Sequence, residues 1–194
     1  MHGYNLQRDF DTGGPPAPAE EAVEAEGERV YNKSTLCTGV MTLKKIYLAG
    51  FDVFAEDAVQ RGREMKKLCS EYGFEGLYPL DNECSSAQEI FRANIGLIRS
   101  CDIIAADVNE FRGMEPDSGT AFEIGFACAL GKSVYCYSHD MRTLREKLGD
   151  VDAKGFFVED FNLPYNLMLS VPSVLVKGDF SACIRKIAED MGNL

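Results

Sequence analysis

From Lys44 onward, short apolar runs alternate with longer amphipathic ones, and this alternation restricts the available folds more than any other feature of the chain. "KKIYLAG" (44–50) is a brief apolar run closed by glycine and reads as a strand. "EDAVQRGREMKKLCSEYG" (56–73) is mostly polar, carries its apolar residues at helical spacing and ends in glycine, so it reads as a helix. The same pattern predicts strands at 74–80, 102–108, 133–138 and 173–177. It predicts helices at 86–101, 120–131, 141–149 and 179–192. "NEFRGMEPDSG" and "GFFVEDFNLPYNLML" read as loops. Strands alternating with helices require right-handed crossovers and a parallel sheet covered on both faces. The expected fold is α/β: a five-stranded, parallel, doubly wound sheet of flavodoxin or Rossmann type. Ligands of such sheets bind beyond the carboxyl ends of the strands. That rule gathers "YLAGFDVF", "YPLDNE", "ADVNEFRGMEPDSG" and the start of the 120s helix around one cleft.

Residues 1–40 follow a different rule. "DTGGPPAPAEEAVEAEGERV" is rich in Pro, Gly, Ala and Glu and has few large apolar groups, so burial cannot offset its ordering entropy. It is expected to be a disordered leader to a folded domain spanning 41–194. The net charge of -11 argues against nucleic acid or an acidic membrane surface as a partner. There is no apolar run long enough to span a bilayer and no apolar signal core at the N-terminus, so a cytoplasmic location is expected. Seven scattered cysteines without a CxxC pair fit free thiols in a reducing compartment. Only two histidines occur, which disfavours a histidine-rich metal site or a Ser-His-Asp mechanism. Carboxylates are then the natural agents of any acid–base or nucleophilic chemistry.

One carboxylate stands out. In "PDSGTAFEIGFACALG" (116–131), Glu123 sits among Phe122, Ile124, Phe126 and Ala127. Thr120 and Glu123 have the spacing of a capping box, in which Glu123 would reach back to the helix start. A solvated position suits it less well, given its apolar neighbours. A reactive group is the third reading: Gly119 would let a ligand approach the backbone, and Asp117 lies at the same helix entry.

The separated motifs occur in one order that resembles the nucleoside 2-deoxyribosyltransferases, over roughly Lys44 to Met191. They are "KIYLAG", "PLDNE", "CDIIAAD", the "FRG-x-EPDSGTAFEIGFA" block and "LPYNLML". The resemblance implies that Glu123 is the nucleophile, that Tyr47 orients it and that Asp117 holds the sugar hydroxyls. It implies substrate-binding roles for Gly50 and Gly119, and base-facing positions for Phe54 and Glu83. Asn166 and Met168 would enter the site from a neighbouring subunit, which implies a homo-oligomer with shared active sites. The substrates implied are deoxynucleosides and free nucleobases, with no metal or organic cofactor. One departure is plain: where many members carry an aspartate that handles the base and its proton, this chain has Asn94, which cannot act as a general acid. A 2′-deoxynucleoside 5′-monophosphate N-hydrolase on the same fold is the nearest alternative, although Asp117 would repel a phosphate. A non-catalytic nucleotide-binding module is the alternative from another class.

Overall fold

The computed structural model describes residues 42–193. The expected leader, 1–40, lies outside the described residues. Five strands form one parallel sheet: β1 (Lys45–Ala49), β2 (Glu75–Leu77), β3 (Ile103–Asp107), β4 (Ser133–Ser138) and β5 (Val174–Lys177). Their order is β2-β1-β3-β4-β5. The helices are α1 (Ala58–Glu71), α2 (Ala87–Ser100), α3 (Ser118–Ala129), α4 (Leu144–Leu148), α5 (Leu167–Ser170) and α6 (Phe180–Met191). The fold is the doubly wound sheet that the alternating pattern predicts. None of the helices is long and apolar enough to cross a membrane.

The period-two alternation of the strands builds two cores. Ile46, Leu48, Ile103, Ala105, Tyr135 and Tyr137 face one side, where Cys69 of α1 and Cys183, Ile184 and Ile187 of α6 cover them. Tyr47, Ala49, Ile104, Ala106, Val134 and Cys136 face the other, beneath Ile98 of α2 and Ile124 and Ala127 of α3. Strand order reverses between β1 and β3, so their crossovers leave on opposite faces and a crevice opens beyond Ala49 and Asp107. Six cysteines fall among the described residues; none is paired, and four of them are buried. They act there as small apolar groups.

Helix α1 starts two residues later than expected, at Ala58, and α4 three later, at Leu144, where Thr143 caps it. Three further elements differ from the sequence pattern. The second strand stops at Leu77 rather than at Leu80, because Pro79 has no N–H to extend the ladder. A 3-10 turn over Pro79–Asp81 follows, closed by Asp81 Oδ2 accepting from Tyr78 N at 2.9 Å. Helix α3 starts at Ser118, two residues earlier than expected, for a reason found in the site. The segment read wholly as loop contains α5, a single turn held by Asn166 at its N-cap.

Glycine at position 62 allows α1 to sit directly on the second-strand turn, since an added Cβ would overlap the buried Tyr78 ring. Gly62→Ala should lower unfolding free energy by about 1–3 kcal/mol, read as an earlier urea midpoint. Gly125→Ala is the contrasting variant, because its Cβ meets nothing within 4 Å on an exposed stretch of α3. It should raise stability by about 0.5–1 kcal/mol.

Candidate active site

Tyr47 comes from the middle of β1 and points into the core shared with α2 and α3, where it is fully buried. Its hydroxyl donates to Glu123 Oε1 at 2.6 Å. Glu123 therefore does not close a capping box with Thr120. The N-cap of α3 is Asp117, whose Oδ2 accepts from Thr120 N at 3.0 Å and from Thr120 Oγ1 at 3.3 Å. Asp117 takes over the capping role, so the helix starts earlier and Glu123 is free to face the crevice. Gly119 is needed for the same reason: a Cβ there would stand 2.9 Å from Asp117 Oδ2. Gly50, beyond β1, fits against β3 because its absent Cβ would stand 2.9 Å from that of Asp107.

A cavity of about 330 Å³ opens above this pair. Gly50, Asp117, Gly119 and Glu123 line it. Val53, Phe54, Leu80 and Ile90 add apolar surface to the lining, and Asn94 adds a polar group. Phe54 stacks on Phe111 at 5.3 Å between centroids, and Phe111 stacks on Phe51 at 5.1 Å. The Arg112 guanidinium lies 5.1 Å from the Phe54 centroid and 4.6 Å from that of Phe111. This aromatic rim was not legible in the sequence; the only signal was "FDVF" and "EFRG" at two strand ends of one sheet edge.

The expected site residues separate into three groups. Tyr47 and Glu123 meet, and Asp117, Gly50, Gly119, Phe54 and Asn94 line the same cavity as Glu123. Glu83 does not reach it. The chain is extended after the Pro79–Asp81 turn, so Asn82 and Cys84 face the cavity while Glu83 between them points to solvent. Asn166 and Met168 do not line the cavity of their own chain. Asn166 Oδ1 accepts from Met168 N at 3.0 Å, and Met168 is 71% exposed.

Electrostatics set the state of the pair. Burial pushes the Glu123 carboxyl up, the Tyr47 hydrogen bond pulls it back, and the charge of Asp117 raises it again, to about 7. Asp117 thus opposes ionisation of Glu123. Burial and the Glu123 charge together hold the Tyr47 hydroxyl far above its usual range, so it stays a donor. The arrangement can present a desolvated carboxylate, oriented by a phenol, to an electrophilic carbon in the cavity.

The sequence profile of one family, nucleoside 2-deoxyribosyltransferase, matches residues 46–168, more than half of the chain. The chain belongs to this family. Among solved structures, a 2-deoxyribosyltransferase of Leishmania mexicana is 41% identical. The match covers 75% of this chain and 97% of that one, with a TM-score of 0.70. A conserved protein of Enterococcus faecalis shares the fold at 17% identity and a TM-score of 0.54, over 78% of this chain and 98% of its own. An uncharacterized protein of Schizosaccharomyces pombe is 29% identical over 113 residues, 53% of this chain. The chain spans about half the length of that curated relative, 54%.

For this deoxyribosyltransferase-family site, the raised Glu123 carboxyl links to stability with a definite sign. The folded state holds a proton to about pH 7 that an unfolded glutamate gives up near its ordinary 4.5. Stability is therefore greatest below that ordinary value and is lost as pH rises through the folded one. Glu123→Gln keeps the acceptor for Tyr47 and removes this loss. It should stabilise the protein by about 1–3 kcal/mol at roughly pH 8.5, and far less at about pH 5, in urea titrations at the two pH values.

Proposed function

We propose that the protein is a nucleoside 2-deoxyribosyltransferase acting through a covalent deoxyribosyl–Glu123 intermediate. The observation that carries this reading is the 2.6 Å bond from Tyr47 to a buried Glu123 beside Asp117, in a cavity of about 330 Å³. Glu123 attacks C1′ of a 2′-deoxynucleoside through an oxocarbenium-like transition state, and the base departs. A second base then attacks from the face the first one left, so two inversions retain configuration. Splitting one difficult displacement into two is the gain of covalent catalysis. Asp117 Oδ2 is committed to the helix cap, which leaves Oδ1 for a sugar hydroxyl. Its contribution is positioning. The base occupies the slot between Phe54, Leu80 and Ile90.

Asn166 and Met168 act from a second subunit. Their exposure, and their absence from the cavity of their own chain, support this placement. The enzyme is accordingly a homo-oligomer that completes each site in trans.

A specific feature also favours a second reading, hydrolysis of deoxynucleoside monophosphates. Arg112 stands over the rim ring of Phe54 and has no ion-pair partner among the described residues, so it could hold a phosphate. Asp117 opposes it at the sugar end.

Incubation with deoxyinosine and adenine should yield deoxyadenosine. Release of deoxyribose 5-phosphate and free base from dCMP or dGMP without any exchange would replace the transfer reading with hydrolysis. Glu123→Ala should abolish exchange, and near-normal turnover in that variant would refute the mechanism. The pH profile of kcat/KM should rise to a plateau with a midpoint near the Glu123 value of about 7. Tyr47→Phe removes the hydrogen bond that favours the carboxylate, so the midpoint should move up by about one unit.

A further inference from the structure

Asn94 occupies the wall of α2 where two cavities meet. It lines the main cavity, and it also lines an adjoining one of about 320 Å³ between α2 and α3, together with Ile90, Gly119 and Glu123. Its Oδ1 is buried and has no hydrogen-bond partner. A buried acceptor left unpaired costs about 1–3 kcal/mol. This chain tolerates that cost beside its nucleophile, which marks a position reserved for a donor on the ligand.

The titratable groups around both cavities are few. Among the described residues they are Asp117, Glu123 and Cys84. Asp117 caps α3 and Glu123 is the nucleophile, so both belong to the sugar end. Glu83 faces solvent. No lysine, arginine or histidine lines either cavity.

We infer that Asn94 reads the nucleobase as a neutral carboxamide, and that the departing base leaves as an anion which takes its proton from water rather than from a side-chain acid. This inference rests on the transfer reading above. An amide offers one acceptor and one donor side by side. It matches the N1/N6–H edge of a 6-aminopurine as it stands. Turned by half a rotation, which no protein partner among the described residues opposes, it matches the N1–H/O6 edge of a 6-oxopurine. It has no proton to give up. In the first half-reaction, the Glu123 oxygen not engaged by Tyr47 bonds to C1′, and the electron pair of the C1′–N bond stays on the base nitrogen. Water protonates that nitrogen and leaves hydroxide. In the second half, the acceptor base loses its N–H proton to that hydroxide, its nitrogen bonds to C1′, and the C1′–O pair returns to Glu123. No proton is gained or lost overall. The rate of the first half must then follow the acidity of the departing base, because no described group of the cavity lining protonates it and so equalises good and poor leaving groups.

The test is single-turnover base release from deoxyinosine, deoxyadenosine and a series of 6-substituted purine deoxynucleosides, from about pH 6 to about pH 9.5. The wild-type rate should fall by about tenfold or more from the most to the least acidic leaving base, with a pH profile that rises to a plateau and does not fall again. Asn94→Asp, nearly isosteric, installs an acid. It should flatten that dependence by about threefold or more and add an alkaline fall. Calorimetry with free adenine gives a readout independent of turnover: Asn94→Leu should weaken binding by about tenfold.

An alkaline fall in the wild type, a rate independent of the leaving base, or an Asn94→Asp variant with unchanged slope and profile would overturn the inference alone. So would a Cys84→Ala variant that loses rate only with poor leaving groups, since the thiol would then be the donor. Unchanged adenine affinity in Asn94→Leu would remove the base contact. Absence of exchange in the wild type with every donor would overturn the transfer reading, and this inference with it.

Discussion

The hydrogen bond between Tyr47 and Glu123 is the constraint around which the rest of the structure is arranged. A carboxylate taken out of water needs a donor, and one buried in an apolar core is rarely tolerated without it. The donor here sits on the interior strand β1 and the carboxylate on α3, so the sheet–helix packing itself fixes their distance. Ile124 and Ala127 anchor α3 to the sheet, which prevents the helix from turning Glu123 away. Because Asp117 caps the helix instead of Glu123, the cap and the carboxylate held by Tyr47 are separate residues six positions apart. One helix end can then supply both a rigid start and an accessible carboxylate.

That separation has an electrostatic consequence. Asp117 and the apolar surroundings both resist ionisation of Glu123, and only the Tyr47 hydroxyl favours it. The carboxyl is balanced near neutrality, where its charged and neutral forms are both populated. A buried carboxyl held in this balance costs stability as it ionises. The aromatic stack of Phe51, Phe111 and Phe54 defends the other side of the cleft with apolar surface. The cavity lining therefore combines apolar side chains with one unpaired amide oxygen.

The architecture was legible because period-two and helical spacing report directly on burial. The strands around Ile46, Ile104 and Val134 and the helices at 56–73 and 179–192 follow that rule closely. Local backbone chemistry caused the misses. Pro79 ended the second strand early, Asp117 displaced Thr120 as the cap, and Asn166 nucleated a single turn within a loop. The candidate site was mostly legible because Tyr47, Asp117 and Glu123 fall in recognisable motifs. Glu83 was not, because which side chain of "DNE" faces inward depends on the phase of an extended segment after a 3-10 turn.

By itself the sequence determined the sheet, its five strands and the helices that cover its two faces. These follow from side-chain polarity and spacing, which are properties of the chain. Tertiary structure alone decided which carboxylate caps and which meets the Tyr47 hydroxyl, since both fit the same helix start. It also decided that Asn82 and Cys84 face the cavity while Glu83 does not, and that the Asn94 oxygen is left without a partner. Those outcomes depend on distances between elements far apart in sequence: Tyr47 and Glu123 are 76 residues apart. No local pattern encodes such a distance; the packing of α2 and α3 on the sheet sets it.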